Sequence, residues 1–160
     1  MNKIDTIYNI FKSLRIKEEF IIIHSDIVSL AFNDFSIQKL WQIIFDGIGK
    51  NKTYIFPTFT FSRKKIWDYH NSKSDTGILS EYFRKYISSR RTIHPVHSIA
   101  IYGNNFKEIP NHNCPSSFGK ESVWEWLCNN KNVCNLSLGV KLEGGATICH
   151  YPEELIGVNY

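Results

Sequence analysis

Apolar residues open the chain at helical spacing and then form a short continuous run. The helical positions are Ile4, Ile7, Phe11 and Leu14. Intervals of three or four residues place side chains on one face of a helix, so this pattern predicts an amphipathic helix capped by Asn2 or Asp5. The run FIII at 20–23 is too short for a buried helix and is rich in β-branched residues. It indicates a strand in the middle of a sheet.

The rest of the chain alternates between the same two patterns. The predicted elements are a helix at 36–49, a strand at 53–56, a helix after Gly77, a strand at 98–102, a short helix around 123–127, a strand at 133–138, and a helix starting near Thr147 with Thr147 as its N-cap. Strands that alternate with helices predict an α/β fold, in which a mixed or mostly parallel sheet is flanked by layers of helices. No internal repeat or linker divides the sequence, so we expect one domain over residues 1–160.

Composition and charge exclude several classes of protein. A chain of 160 residues with 42% hydrophobic and 14% aromatic residues can bury a core. Without a membrane-length apolar run or a signal-peptide segment at its start, the chain is expected to be cytoplasmic. The net charge of +4 comes with short, scattered basic runs, which argues against nucleic-acid binding. The four cysteines form no CxxC pair, so we expect reduced, partly buried thiols and no metal site.

One pair near the C-terminal end carries candidate acid–base chemistry. His150 and Glu153 stand three residues apart in a predicted helix, so their side chains share one face. Histidine titrates near neutral pH and can accept a proton from a substrate amine. An exposed ion pair is the alternative, and Glu154 could take the inward place of Glu153. Cys149 is disfavoured as a nucleophile paired with His150, because adjacent residues of a helix do not face one another.

Six groups of short motifs follow one another along the chain. They are IHSDIVSL at 23–30, FPTFT at 56–60, WD at 67–68 with GILSEYFR at 77–84, HPVHS at 94–98, GKESVW at 119–124, and LGV at 138–140 with TICHYPE at 147–153. In this order they resemble the motifs of the aminoglycoside 3-N-acetyltransferases. The resemblance implies an enzyme that transfers an acetyl group from acetyl-coenzyme A (acetyl-CoA) to an amine of an aminoglycoside or related amino sugar. Members of that family continue past residue 160, so we expect this chain to be C-terminally short.

The resemblance also implies a role for each motif. His150 matches the catalytic histidine of the family, and Glu153 would hold a cationic amino sugar or steer that histidine. The loop after the first strand would hold the acetyl group and pantetheine arm, through Ser25, Asp26, Ile27, Val28 and Ser29. The substrate side of the cleft would include Trp67, Asp68 and His97. For His97, a hydrogen-bonded structural histidine is the alternative.

Further expectations concern charge and partners. The candidate anchors for the phosphates of coenzyme A are Arg63, Lys64, Lys65, Arg90 and Arg91, with a solvated surface as the alternative. An extended backbone around Pro95 would place His94 and His97 on opposite faces, which argues against a metal pair. No acidic residue matches the downstream carboxylate of the family, so we expect turnover about 10²-fold below that of a full-length relative.

Two alternatives stay open from the sequence. The first is that the chain is a truncated or degenerate family member that binds coenzyme A or a partner without catalysis. The second concerns assembly, because the sequence is compatible with a homo-oligomer and does not identify the number of copies.

Overall fold

The structure is a computed structural model that describes residues 2–28, 36–61, 66–112, 114–141 and 146–158. Within these ranges the strands are β1 Phe20–Ser25, β2 Thr53–Pro57, β3 Arg90–Arg91, β4 Ile99–Tyr102 and β5 Val133–Leu138. The helices are α1 Lys3–Ser13, α2 Ile37–Ile48, α3 Ile78–Tyr86, α4 Val123–Asn129 and α5 His150–Ile156, with 3₁₀ turns at Phe106–Glu108 and Thr147–Cys149. The predicted α/β fold is confirmed. The two-residue strand β3 was not predicted.

The strands form one mixed sheet in the order β3-β4-β2-β1-β5. β1 lies parallel to both of its neighbours, so that Ile21 pairs with Tyr54 of β2 and with Cys134 of β5. β4 is antiparallel to β2, and β3 is antiparallel to β4. The carboxyl ends of β1, β2 and β5 therefore meet at one edge of the sheet, where polar side chains follow the apolar runs.

β1 is covered on both faces, as its continuous apolar run predicts. Ile21 and Ile23 pack into a core cluster with α1, α2 and α3, whereas Phe20 and Ile22 pack into a second cluster with Trp124 of α4 and Tyr151 of α5. Successive side chains of a strand point to opposite faces. His24 therefore continues the alternation on the α4–α5 side of the sheet.

Local side chains set the starts of the first two helices. Asn2, and not Asp5, is the cap of α1, because its Oδ1 accepts the Asp5 main-chain N–H at 2.9 Å. Ser36 caps α2 by accepting the Lys39 N–H at 3.1 Å. Each cap satisfies a main-chain donor that the first turn of a helix leaves without a partner.

The last helix begins differently from the prediction. Thr147 is not its cap: Thr147–Cys149 forms a 3₁₀ turn, in which the Cys149 N–H bonds to the Ala146 carbonyl at 2.8 Å, and α5 begins at His150. No side chain caps either segment. The tighter turn supplies a main-chain acceptor for the Cys149 N–H, and Thr147 lines the cleft described below.

The cysteines lie at different depths in the structure. All four cysteines are free: Cys114 is buried, Cys134 is half-buried, and Cys128 and Cys149 are exposed. Among the helices of the described ranges, none has the length and apolar character needed to cross a bilayer. The same ranges contain no cluster of three or more histidine, cysteine or acidic side chains arranged to hold a metal.

Candidate active site

A cleft of about 410 Å³ opens at the carboxyl ends of β1 and β2. β1 contributes His24 and Ser25 to its floor, and β2 contributes Pro57. Other lining side chains are the aromatic Phe59, Phe61 and Phe118 and the polar His97, Thr147 and His150. In α/β sheets, side chains that follow parallel strands converge at this edge, which is the usual place for a ligand.

His150 and Glu153 form a contact pair at the cleft. Nδ1 of His150 lies 2.7 Å from Oε2 of Glu153, and both side chains are partly exposed. An ionised carboxylate only accepts hydrogen bonds, so the contact places a proton on Nδ1 and leaves Nε2 of the neutral ring with a lone pair. The ring of Phe118 lies 4.9 Å from the imidazole, centroid to centroid. This contact is compatible with Glu153 steering His150, which is one of the two roles that the resemblance implies for Glu153.

The neighbouring residues of α5 explain why Glu153, and not Glu154, is on the His150 side. Tyr151 is buried against the α4 side of the sheet, and its hydroxyl donates to Glu125 at 2.9 Å. Glu154 accepts a hydrogen bond from the Ser116 hydroxyl at 2.5 Å. These two contacts set the rotation of the helix about its axis.

His97 forms one wall of the cleft. Its ring lies between Phe59 and Phe118, with centroid distances of 4.8 and 4.7 Å, and its Nδ1 lies 2.7 Å from the Ser117 hydroxyl. Burial lowers the pKa of His97 to about 4, with smaller contributions from the nearby His94 and His150. The expectation that His94 and His97 point to opposite faces is wrong. Residues 95–97 form a turn, so the two rings lie 5.7 Å apart.

The floor of the cleft includes His24, for which the sequence predicted no role. His24 is only 8% exposed, and burial lowers its pKa to about 4, while the neighbouring Asn135 side chain raises the pKa by less. Nε2 of His24 and Oγ of Ser25 are both buried without a hydrogen-bond partner among the described residues. Buried polar atoms of this kind are normally satisfied by a ligand or an ordered water. The signal in the sequence was its position directly after the apolar run at 20–23.

The loop after β1 is only partly available for ligand binding. The Asp26 N–H donates to the Leu138 carbonyl at 2.8 Å and extends the pairing of β1 with β5. This N–H group is therefore engaged within the sheet, although Asp26 was expected to bind the cofactor. Within the ranges that the structure covers, the N–H groups of Ile27 and Val28 have no hydrogen-bond partner. Ser29 lies outside the described residues. Ile27 and Val28 are therefore the main-chain donors of this loop that remain as candidates.

Trp67 and Asp68 lie apart from the cleft. They line a separate hollow of about 650 Å³, and neither lines the cleft that contains His150. The Asp68 carboxylate accepts the N–H groups of Asn71 and His70 at 2.9 and 2.8 Å. Hydrogen bonds from Asn71, and then from His70, lower the pKa of Asp68. Asp68 thus organises its own turn, and the Trp67 ring lies 5.4 Å from the Arg91 guanidinium.

Of the basic residues proposed as phosphate anchors, the structure describes Arg90 and Arg91. Arg91 is 3% exposed, and its guanidinium donates to the oxygen atoms of Ser98, Ser72, Thr58 and Thr60. Arg90 is half-buried and donates to the Ile109 carbonyl at 2.6 Å. Arg63, Lys64 and Lys65 lie outside the described residues. As anchors for coenzyme A, Arg91 is excluded by its burial and Arg90 has one donor already engaged.

Comparison with known proteins identifies similarities of sequence and of fold. A family model described as aminoglycoside 3-N-acetyltransferase matches residues 22–160. A comparison with curated protein sequences gives no match. The fold is similar to that of the YokD protein from Bacillus subtilis, with a TM-score of 0.79 and 18% identity over 94% of this chain and 69% of that one.

Two acetyltransferase structures show the same similarity of fold. The apoenzyme of AAC(3)-IVa aligns with a TM-score of 0.81 and 19% identity, over 98% of this chain and 61% of that one. AAC-IIIb in a binary complex with CoASH aligns with a TM-score of 0.80 and 17% identity, over 96% of this chain and 65% of that one. The chain thus spans between 61% and 69% of the length of these three structures.

Proposed function

The chain belongs to the aminoglycoside 3-N-acetyltransferase family, and from this membership we propose that it transfers an acetyl group from acetyl-CoA to an amine of an aminoglycoside or related amino sugar. The observation that carries the proposal is the 2.7 Å contact between His150 and Glu153 at a cleft on the carboxyl edge of the sheet. Structures with the same fold have been determined with CoASH and with the aminoglycosides sisomicin and apramycin. These ligands set the classes of compound to test.

His150 acts as the general base in this proposal. With its Nδ1 proton held by Glu153, His150 takes a proton from the acceptor amine on its Nε2 lone pair as the nitrogen becomes bonded to the acetyl carbon. The amine nitrogen forms a new N–C bond to the acetyl carbon, and the C–S bond of the thioester breaks. The proton removed from nitrogen is returned to the departing sulfur. General-base catalysis of this kind contributes on the order of 10²–10⁴-fold.

Residues of the cleft floor fit the pantetheine arm of coenzyme A. Acetyl-CoA supplies the activated acetyl thioester. The unpartnered Nε2 of His24 and Oγ of Ser25, with the N–H groups of Ile27 and Val28, suit the amide and carbonyl groups of such an arm, while the aromatic wall suits its methylene groups. Neutral His24 lines the cleft without adding a charge.

The charge of the protein bears on the acceptor. Aminoglycosides are polycations and the chain has a net charge of +4, so long-range attraction does not favour them. An amino sugar with a single positive charge is therefore as suitable an acceptor as an antibiotic. A substrate panel should contain both classes.

The decisive experiment measures thiol release from acetyl-CoA with aminoglycosides and nucleotide-linked amino sugars as acceptors. We expect His150→Ala to lower kcat by roughly 10²-fold or more. Glu153→Gln should also lower kcat, because an amide no longer dictates which ring nitrogen carries the proton. His112→Ala, at an exposed histidine outside the cleft, is the matched control and should keep full turnover. Full turnover in His150→Ala would contradict the proposed role of this residue.

A second candidate function is binding without catalysis, and one observation favours it. All six residues of the edge strand β5 are only half-buried, and Leu155 and Ile156 of α5 and Val158 after it are 44–76% exposed. An apolar surface of this kind is typical of a site where another segment or protein packs. A rise in melting temperature with acetyl-CoA, which follows from mass action, combined with no thiol release for any acceptor, would favour this candidate over the enzyme.

A further inference from the structure

Two histidines of the HPVHS segment are joined through one serine. The Nδ1 atom of His94 accepts the main-chain N–H groups of Val96 at 3.2 Å and His97 at 2.9 Å. Its Nε2 atom lies 3.4 Å from the Ser117 hydroxyl, which in turn lies 2.7 Å from Nδ1 of His97. The side chains of His94, Ser117 and His97 thus form a hydrogen-bonded relay that connects the main chain to the wall of the cleft.

The relay has a direction that the main chain imposes. Because Nδ1 of His94 accepts hydrogen bonds, the neutral ring carries its proton on Nε2 and donates toward Ser117. Ser117 then directs its own hydrogen to Nδ1 of His97, which therefore acts as an acceptor. If Nδ1 of His97 carried the proton instead, the Ser117 hydrogen would have no acceptor among the described residues. The proton of neutral His97 consequently belongs on Nε2.

The surroundings of His97 keep this ring neutral and hold it in place. Burial, followed by the proximity of His94 and His150, lowers its pKa to about 4, and burial lowers the pKa of His94 as well. Phe59 meets the imidazole at an interplanar angle of 87°, and Phe118 lies against it at 45°. Nε2 of His97 has no hydrogen-bond partner in the ranges that the structure covers, and the residue lines the same cleft as His150.

We propose that His97 is a neutral hydrogen-bond donor in the cleft, which offers its Nε2–H to an acceptor oxygen of the ligand, and that Ser117 and His94 are positioning residues that fix this tautomer. This inference deepens the proposed function and rests on it for the identity of the ligand. The two cleft histidines would then have opposite roles. His150, with Nδ1–H held by Glu153, presents a lone pair, whereas His97 presents an N–H group.

The test measures the tautomers directly, by correlation of the ring nitrogens and carbon-bound protons in ¹⁵N-histidine-labelled protein. At neutral pH the full chain should show Nε2–H for His97 and Nδ1–H for His150, with signals assigned from the His97→Gln and His150→Ala variants. Ser117→Ala should remove the preference of His97 for Nε2–H, whereas Ser117→Thr, which keeps the hydroxyl, should retain it. Unchanged spectra of other residues would verify that each variant is folded.

Ligand titrations of the same samples separate the two possible sources of the acceptor oxygen. A change in the His97 Nε2 signal with acetyl-CoA alone would assign the oxygen to the acetyl donor, and a change only with an aminoglycoside would assign it to the acceptor. A Nδ1–H tautomer or a protonated His97 at neutral pH would overturn the proposal, as would a His97 signal that neither ligand moves. Thiol release judges the proposed function separately, since the tautomers do not depend on turnover.

Discussion

The burial of Arg91 makes a quantitative prediction about stability. Its side chain is 3% exposed and donates four hydrogen bonds of 2.6–3.0 Å that connect β3 to residues 58–60, 72 and 98. Replacement by methionine keeps most of the volume and removes all four. Hydrogen bonds to charged groups contribute about 1.5–3 kcal/mol each, but the sum is reduced because burial of the cation is costly. That cost is visible in the pKa of Arg91, which burial lowers to about 10.

We therefore expect Arg91→Met to lower the free energy of unfolding by about 3 kcal/mol, a large effect for one substitution. Urea denaturation followed by fluorescence measures this quantity, and the control is Arg90→Met. Arg90 is half-buried and donates one side-chain hydrogen bond, to the Ile109 carbonyl, so its loss should cost about 1 kcal/mol.

A local effect should accompany the global one. The guanidinium of Arg91 bonds to the Ser72 carbonyl at 2.6 Å, and Tyr69 accepts the Arg91 main-chain N–H at 3.1 Å. Hydrogen exchange in residues 66–75 should therefore accelerate in Arg91→Met and not in Arg90→Met. Equal losses of stability in the two variants, or a loss below about 1 kcal/mol for Arg91→Met, would refute the view that this residue is a buried structural cation.

Two further predictions concern single positions. Gly103→Ala should lower the melting temperature more than Gly157→Ala, although both glycines have positive φ angles, 137° and 71°. A Cβ at Gly103 would lie 2.6 Å from Cα of Thr53, whereas the space around Gly157 is open. Equal melting temperatures would contradict this difference. Between about pH 7 and pH 5, His24 alone should lower the free energy of unfolding by about 2 kcal/mol. In the unfolded chain this histidine binds a proton near its ordinary pKa, whereas in the folded protein its pKa is about 4. In His24→Asn the urea midpoint should depend less on pH over this interval, and an unchanged dependence would exclude His24 as its source.

Much of the fold could be predicted because the deciding signals are local. The run at 20–23 gave β1 to within two residues, and Ser36 and Gly49 bounded α2 correctly. Hydrophobic periodicity and capping groups involve residues only a few positions apart, so the elements that they define can be predicted directly from the sequence. The two-residue β3 has no such signal, and its two arginines gave a misleading indication of an exposed basic patch.

The candidate site was predictable only as a set of residues, and its geometry depends on distant packing. The motif order located His150, but Tyr151 against Glu125 and Glu154 against Ser116 decide that Glu153 is the partner of that histidine.

The same distinction applies to the remaining candidates. A turn, where an extended segment was expected, brings His94 and His97 together. The self-contained hydrogen bonds of Asp68 hold it outside the cleft. The sequence determined which elements form and which side chains carry chemistry, because hydrophobic periodicity, helix caps and motifs each depend on residues that are close together in the chain. Only the tertiary structure decided which side chains meet, since burial and hydrogen-bond partners come from segments far apart in the chain.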